Sequence, residues 1–267
     1  MNERIKNLLS GGAEIAGAAV GGAIGFFATG PSGAAAAGAL GVATAKLLQD
    51  ISHRALSHRE EVRVGATASY AVDYIRQRLQ AGETPRNDGF FSGQTTGTSP
   101  AEEIFEGVLL KAKNDHEEQK ARYYGKLFSN VAFDIHCSRQ EANYFLHVME
   151  RLTFLQLVLL NIFSNTNRFQ LRSTRYQPGE QVSFAQLSIL SATFDLFQQN
   201  LLRLQEPGAQ HGEIALDLNQ IRPAYTSLTV TGTRLFQLSG LSEIAQVDIE
   251  PVIKLFSMPS LNQVKNA

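Results

Sequence analysis

Residues 99–134 read SPAEEIFEGVLLKAKNDHEEQKARYYGKLFSNVAFD, and their periodicity decides the fold class. Ser99 stands three residues before Glu102. That is the spacing of a capping box, in which two side chains satisfy amides left unpaired at a helix start. Ile104, Val108 and Leu109 then recur at helical spacing, as do Tyr124, Leu127, Phe128 and Val131. Outward from this stretch the capping spacing repeats at Asp115–Glu118, Ser138–Glu141, Thr153–Gln156 and Ser183–Gln186. Apolar stripes follow, among them Phe145, Leu146 and Met149, then Leu155, Leu159 and Ile162. A series of caps, each ahead of a stripe, predicts a mainly α fold.

The text changes period near the C-terminus. Ile214, Leu216 and Leu218 alternate with polar residues, as do Leu228 and Val230. Two short strands are predicted, separated by a loop around Pro223. A short helix is expected after Gly232 and another after Pro251. Helices over 153–163, 183–190 and 192–205, followed by two strands, give the element order of a winged helix. The expectation is therefore a helical domain over 99–165 and a winged-helix-like α+β region over 166–267.

Upstream the composition is different. Residues 15–45, IAGAAVGGAIGFFATGPSGAAAAGALGVATA, hold no charged side chain. Gly30, Pro31, Ser32 and Gly33 form a strong turn signal. A helical hairpin is expected within residues 1–62, with legs over 5–29 and 33–56. Gly17, Gly21 and Gly25 fall on one helical face, and Gly38 and Gly41 extend a small-residue face on the second leg. Each glycine inside a helix costs about 1 kcal/mol relative to alanine. Close packing against another helix offsets that cost, as small-residue faces do in lipid. The apolar part of each leg is shorter than the roughly 20 residues that cross a bilayer. An oligomer that shelters Glu14 inserts more readily than one copy. Arg4 and Lys6 on one flank, with Lys46, Arg54 and Arg59 on the other, would keep both ends cytoplasmic. The rival reading is a water-soluble hairpin buried in the protein's own assembly.

Between these regions, 63–98 reads as an amphipathic helix and a flexible linker. The helix runs from Val62 to Leu79, and AGETPRNDGFFSGQTTGTSP over 81–100 supplies the linker. Phe90 and Phe91 are its apolar spot and a place for it to dock.

Composition narrows the chemistry. Lys and Arg number 24 against 25 Asp and Glu, a formal net charge of -1, which leaves no basic footprint for nucleic acid. Cys137 is the only cysteine, so no internal disulfide forms. Arg4 and Lys6 precede an apolar run, but Glu3, Glu14 and the Gly/Ala composition argue against a cleaved secretory leader. Asp134, His136, Cys137, Glu141 and His147 lack the paired spacings of a zinc site. Asp115, His116, Glu117 and Glu118 suit the positive end of a helix. No phosphate-loop string occurs. The candidate recognition helix, 191–205, carries one basic residue, Arg203, beside Asp195. No enzyme activity, metal or cofactor is expected, and nucleic acid is not an expected partner.

The stretch from Glu102 to Asp134 resembles the core of the abortive infection alpha family of bacterial proteins. Its string Leu127-Phe128-Ser129-Asn130-Val131-Ala132-Phe133-Asp134 is similar to that family's Asn-containing helix end. Leu152-Thr153-Phe154-Leu155-Gln156-Leu157 and Ser227-Leu228-Thr229-Val230-Thr231-Gly232 resemble later motifs. The likeness covers roughly 99–245, and the tryptophan usual near the Asn is absent. It implies a role in phage defence and supplies no catalytic residues, only Leu127, Asn130 and Asp134 as structural positions. The expected protein is a bacterial, cytoplasmic, homo-oligomeric antiphage effector, associated with inner-membrane lipids through its hairpin. A phage or operon-encoded protein is a further expected partner. A soluble adaptor and a DNA-binding winged-helix regulator are the alternatives.

Overall fold

The computed structural model describes residues 57–92, 99–177, 179–205, 212–215 and 217–257. The expected hairpin, with Gly17, Gly21, Gly25, Gly38, Gly41 and the turn Gly30, Pro31, Ser32, Gly33, lies outside the described residues. The described chain is mainly helical with one small antiparallel sheet. It divides into two compact units, Met1–Arg151 and Leu152–Ala267.

In the first unit the described helices are α1 (His58–Gln80), α2 (Pro100–Asn114), α3 (Ala121–Phe133) and α4 (Arg139–Arg151). The Ser99 box forms: the Ser99 amide donates to Glu102 Oε2 at 2.7 Å and the Glu102 amide to Ser99 Oγ at 3.2 Å. The Glu141 amide donates to Ser138 Oγ at 3.1 Å. A further box at Ser57–Glu60 starts α1. Asp115–Glu118 is not a box. Asp115 Oδ1 accepts the Glu117 amide at 3.0 Å, and a single 3-10 turn, Glu118–Lys120, leads into α3. α2 packs its buried stripe of Ile104, Phe105, Val108 and Leu109 toward α3, where the Phe105 and Phe128 rings meet at 4.5 Å. α1 lies across α3 so closely that a Cβ on Gly125 would fall 2.8 Å from the Thr67 carbonyl oxygen, the Ala71 nitrogen and Tyr70 Cβ.

The segment 81–92, whose composition is that of a linker with Phe90 and Phe91 as a place to dock, lies against the helices. Arg86 and Phe90 are buried, so this segment is a docked strap. Its Gly, Pro and Asn content sets the turns, with Gly82 and Gly89 at positive φ. It does not keep the strap off the protein.

In the second unit the elements are α5 (Phe154–Ser164), α6 (Phe184–Gln198), β1 (Leu202–Leu204), β2 (Thr226–Leu228), α7 (Val230–Leu238) and α8 (Gln246–Ser257). α5 is apolar almost all round, with Leu157, Val158, Leu159, Leu160, Ile162 and Phe163 buried. It packs on α6, β2, α7 and α8, so it is the core of this unit rather than the last helix of the preceding one. Phe163 meets Phe256 of α8 at 5.6 Å.

The predicted boundaries move here. Helices expected over 183–190 and 192–205 are one helix, because Ser191 does not break it. α6 ends at Gln198, Asn200 with a φ of 54° reverses the chain, and Leu202–Leu204 pair as β1. Among the described residues of the expected strand, 214–218, no strand forms. Leu204 bridges Glu213, Ile214 is exposed, and Leu218 begins a 3-10 turn. β1 pairs antiparallel with β2, Leu202 opposite Leu228. β2 ends before Val230 because Thr229 caps α7 through its side chain, which accepts the Gly232 amide at 3.0 Å. Gly232 thus sits in the first turn of α7, where a Cβ would lie 2.1 Å from the Leu201 carbonyl oxygen. α8 begins five residues before Pro251, which lies inside it.

These close approaches set a sign. Alanine in place of a helical glycine gains about 1 kcal/mol of propensity. At Gly125 the obstacle is the backbone of a second helix, and overpacking costs about 1–3 kcal/mol. At Gly107 it is the flexible tip of Leu146, 2.9 Å from the built Cβ. We expect Gly125→Ala to lower the urea midpoint and Gly107→Ala to leave it level or raise it. Equal shifts in the two variants would contradict the close crossing.

Candidate functional site

The densest chemistry in the first unit surrounds the start of α3. Lys120 and Asp115 form an ion pair with side chains only 2% and 8% exposed. Tyr124 donates its hydroxyl to Asp115 Oδ2 at 3.0 Å, and its ring lies 5.5 Å below Lys120 Nζ. Lys120 also donates to the Glu150 carbonyl at 3.4 Å. The Glu150 carboxylate takes Lys111 Nζ at 2.5 Å and stands 3.6 Å from His147 Nδ1. Burial first, and then the Asp115 charge, push the Tyr124 phenol far above its ordinary range. It is a fixed donor, not a base. Asp115 accepts from three directions, so it has little capacity left for chemistry. In sequence Asp115 reads as a cap; its buried partners, five and nine residues on, carry a signal that the capping spacing does not show.

The strap carries a second buried charge. Arg86 pairs with Asp88, with Nε donating to Oδ1 at 2.9 Å, and stacks 4.5 Å over the Phe90 ring. Its Nη1 donates to the Cys137 carbonyl at 2.7 Å and to the Val131 carbonyl at 3.3 Å, and its amide donates to Ala132 O at 3.1 Å. Carbonyls at a helix C-terminus have no intrahelical partner, so one guanidinium closes α3 and fixes the strap together. The Arg86 hydrogen bonds hold the Asp88 carboxyl below its usual range.

Beside the close crossing, Arg122 Nε donates to the Tyr74 hydroxyl at 2.6 Å, and Lys126 Nζ lies 4.5 Å over the Tyr74 ring. Tyr70 stacks on Tyr74 at 6.4 Å. Burial pushes both phenols up. Burial, and then the Arg122 charge, bring the Lys126 ammonium down to about 8.

The residues singled out in sequence have separate places. Leu127 is core. Asn130 Oδ1 accepts from Arg78 Nη1 at 2.9 Å, and Arg78 also stacks 4.3 Å over Phe133. Asp134 Oδ1 accepts the His136 amide at 2.9 Å. Cys137 is fully buried beneath the strap. Among the described residues no three of His, Cys, Asp and Glu gather as metal ligands would.

In the second unit Arg172 pairs with Glu180 in a bidentate clamp and stacks 4.2 Å over Tyr176. α6 presents a different surface. It holds no Lys or Arg and one acid, Asp195. Phe184 and Leu187, one helical turn apart, are 85% and 41% exposed. Arg203, the one basic residue of the predicted recognition helix, lies on β1.

No family model, curated protein or solved structure matches this chain. None of these comparisons identifies the abortive infection alpha family suggested by the Leu127, Asn130 and Asp134 string. Among the described residues no single helix is long and apolar enough to cross a membrane.

Two outcomes are expected. Breaking a fully buried ion pair costs about 3–5 kcal/mol, and the Arg86–Asp88 pair costs less because the Asp88 side chain is 30% exposed. Arg86→Met therefore releases the strap, and Cys137 reacts with a thiol reagent at least about tenfold faster, the equivalent of about 1.4 kcal/mol of easier opening. An unchanged rate would mean the strap is held by other contacts. The second concerns pH. Lys126 titrates lower in the folded chain than unfolded, so the unfolded chain binds more protons between about 8 and about 10.4. Stability rises with pH from about 8 until the unfolded tyrosines, ordinarily near 10, begin to ionise and oppose the rise. Lys126→Met flattens this rise; an identical slope in both proteins would place the titration elsewhere.

Proposed function

We propose that this chain is a non-enzymatic antiphage protein of the abortive-infection kind. Its N-terminal glycine-zipper hairpin engages or permeabilises the inner membrane through oligomerisation. The observation that carries the reading is the charge-free run over 15–45, with Gly17, Gly21 and Gly25 at four-residue spacing. So many glycines in helices are tolerated only when another helix lies against them. The resemblance around Leu127, Asn130 and Asp134 supplies the defence role. The described body agrees with a scaffold: Lys120–Asp115, Arg86–Asp88 and Arg172–Glu180 are each tied to neighbouring carbonyls, hydroxyls or rings. Self-association of the body, and cytoplasmic residence with inner-membrane association, belong to the same proposal.

The second reading, a soluble adaptor of a defence or toxin–antitoxin system, draws on α6. We read the second unit as winged-helix-like, since α5 and α6 precede the β1–β2 pair. The helix in the recognition position is neutral to acidic and shows Phe184 and Leu187 outward. A helix without cations has little to offer phosphates. Such a face suits a protein, which places the DNA-binding regulator last.

Fractionation and liposome leakage test the first reading. The full chain is expected in the membrane fraction and to release dye from anionic vesicles, and Gly21→Leu is expected to abolish both leakage and toxicity. A detergent-free soluble protein that leaves vesicles intact would move the assignment to the adaptor.

A further inference from the structure

Three segments of the second unit meet at the β1–β2 ribbon. The Gln205 amide donates to the Tyr225 carbonyl at 2.8 Å and carries the pairing one step past Leu204 and Thr226. The Ala224 amide donates to the Arg172 carbonyl at 3.0 Å, and the 3-10 turn Thr166–Arg168 packs on the 3-10 turn Pro223–Tyr225. The stretches brought together are 165–177, 199–205 and 218–228. They hold Arg168, Arg172, Arg175, Arg203 and Arg222 and no Asp or Glu. The near-neutral balance of the whole chain conceals this local excess. Of the described acids that flank these stretches in sequence, Glu180 clamps Arg172, and Asp217 Oδ1 accepts the Asn219 and Gln220 amides at 2.8 and 3.1 Å. Glu213 pairs with Leu204 and lies on that residue's side of the ribbon, and Asp195 belongs to α6.

Strand alternation sorts the ribbon into two faces. Leu202, Leu204, Thr226 and Leu228 are buried, so Arg203, Gln205, Tyr225 and Ser227 share the other, half-exposed face. Arg203 Nε donates to Ser227 Oγ at 3.4 Å. The Arg203 stem lies where Gly212 has no side chain, since a Cβ there would fall 2.6 Å from Arg203 Cδ. Guanidinium groups stand against rings at this corner: Arg222 is 5.5 Å from the Tyr225 centroid, and the exposed Arg168 is 5.6 Å from that of Phe169.

We propose that this ribbon face binds single-stranded nucleic acid, with Arg168 and Arg203 on phosphates and the Tyr225 ring under a base. Cations that follow a backbone, with an aromatic face set among them, are what an unpaired strand requires. A duplex requires an element that enters a groove and carries cations into it. α6 holds no Lys or Arg, and β1 is three residues long. Arg172 has a positioning part. Its bonds to Glu180 and to the Thr174 and Arg175 carbonyls hold the loop that brings Arg168 to the ribbon. Such binding is independent of the membrane reading, because vesicle leakage and strand binding succeed or fail separately.

Fluorescence anisotropy on the full chain tests it with labelled oligothymidylate and oligouridylate of about 12 nucleotides, a span that one small domain covers. Saturable binding of at least one strand is expected, and the tighter of the two identifies the sugar. Arg168→Gln with Arg203→Gln should weaken binding at least about tenfold and lower the slope of log affinity against log salt by about 1.4, or about 0.7 per phosphate. Tyr225→Ala should weaken it at least about fivefold, while Tyr225→Phe, which keeps the ring, stays within about twofold. Should Tyr225→Ala lower the melting temperature, Arg168→Gln alone, at an exposed position, decides, with at least about threefold weaker binding expected. No binding of either strand, equal binding of a duplex of the same length, or unchanged affinity in the arginine variants or in a stably folded Tyr225→Ala would overturn the proposal.

Discussion

The first unit depends on the contact between α1 and α3 at Gly125. Two backbone atoms of α1, the Thr67 oxygen and the Ala71 nitrogen, sit where a side chain on Gly125 of α3 would begin, so the two helices approach as closely as backbone permits. This proximity brings Tyr70 and Tyr74 of α1 beside Arg122 and Lys126 of α3. It also places Arg78, near the end of α1, within reach of Asn130 and Phe133. A wider crossing would separate these pairs and leave several partly buried cations without their rings and carbonyls. Gly232 plays the corresponding part in the second unit, where α7 starts against the Leu201 carbonyl. In both units a missing side chain sets the geometry, and polar residues nearby hold it.

The helices were legible in the sequence because their caps and stripes are local. Ser99, Thr153 and Ser183 all open helices by the mechanism that their spacing announces. What escaped the sequence was decided at a distance. The strap over 81–92 has the composition of a linker, yet Arg86 finds the carbonyls of Val131 and Cys137 more than forty residues away. β1 follows directly from α6, and a strand of three residues, Leu202–Leu204, carries too short an alternation to be seen. Its partner β2 is legible, but the alternation runs on through Thr229 to Val230, and the capping role of Thr229 needs the backbone of Gly232.

The candidate sites were less legible than the fold. Asp115 reads in sequence as part of a helix approach, while Lys120 and Tyr124, the residues that give it buried partners, carry no motif. Their meaning appears only when both return to the same carboxylate. Phe184 and Leu187 read in sequence as part of an apolar helix, which they are; that they face outward follows from which side of α6 meets α5 and α8.

The capping boxes differ between the units in a way that joins local and long-range structure. In the first unit the third helical residue is glutamate, Glu60 or Glu102, whose charge also suits the positive end of the helix. In the second it is glutamine, Gln156 or Gln186. A glutamine accepts the cap amide with its oxygen and keeps a nitrogen to donate elsewhere. Gln186 uses that nitrogen on Leu255 of α8, and Gln156 makes a longer contact, 3.5 Å, to the Ala192 carbonyl of α6. Glutamate could start these helices equally well, but it has no proton with which to tie one helix to the next. In this unit the amide therefore does two jobs, starting a helix and fixing where its neighbour lies.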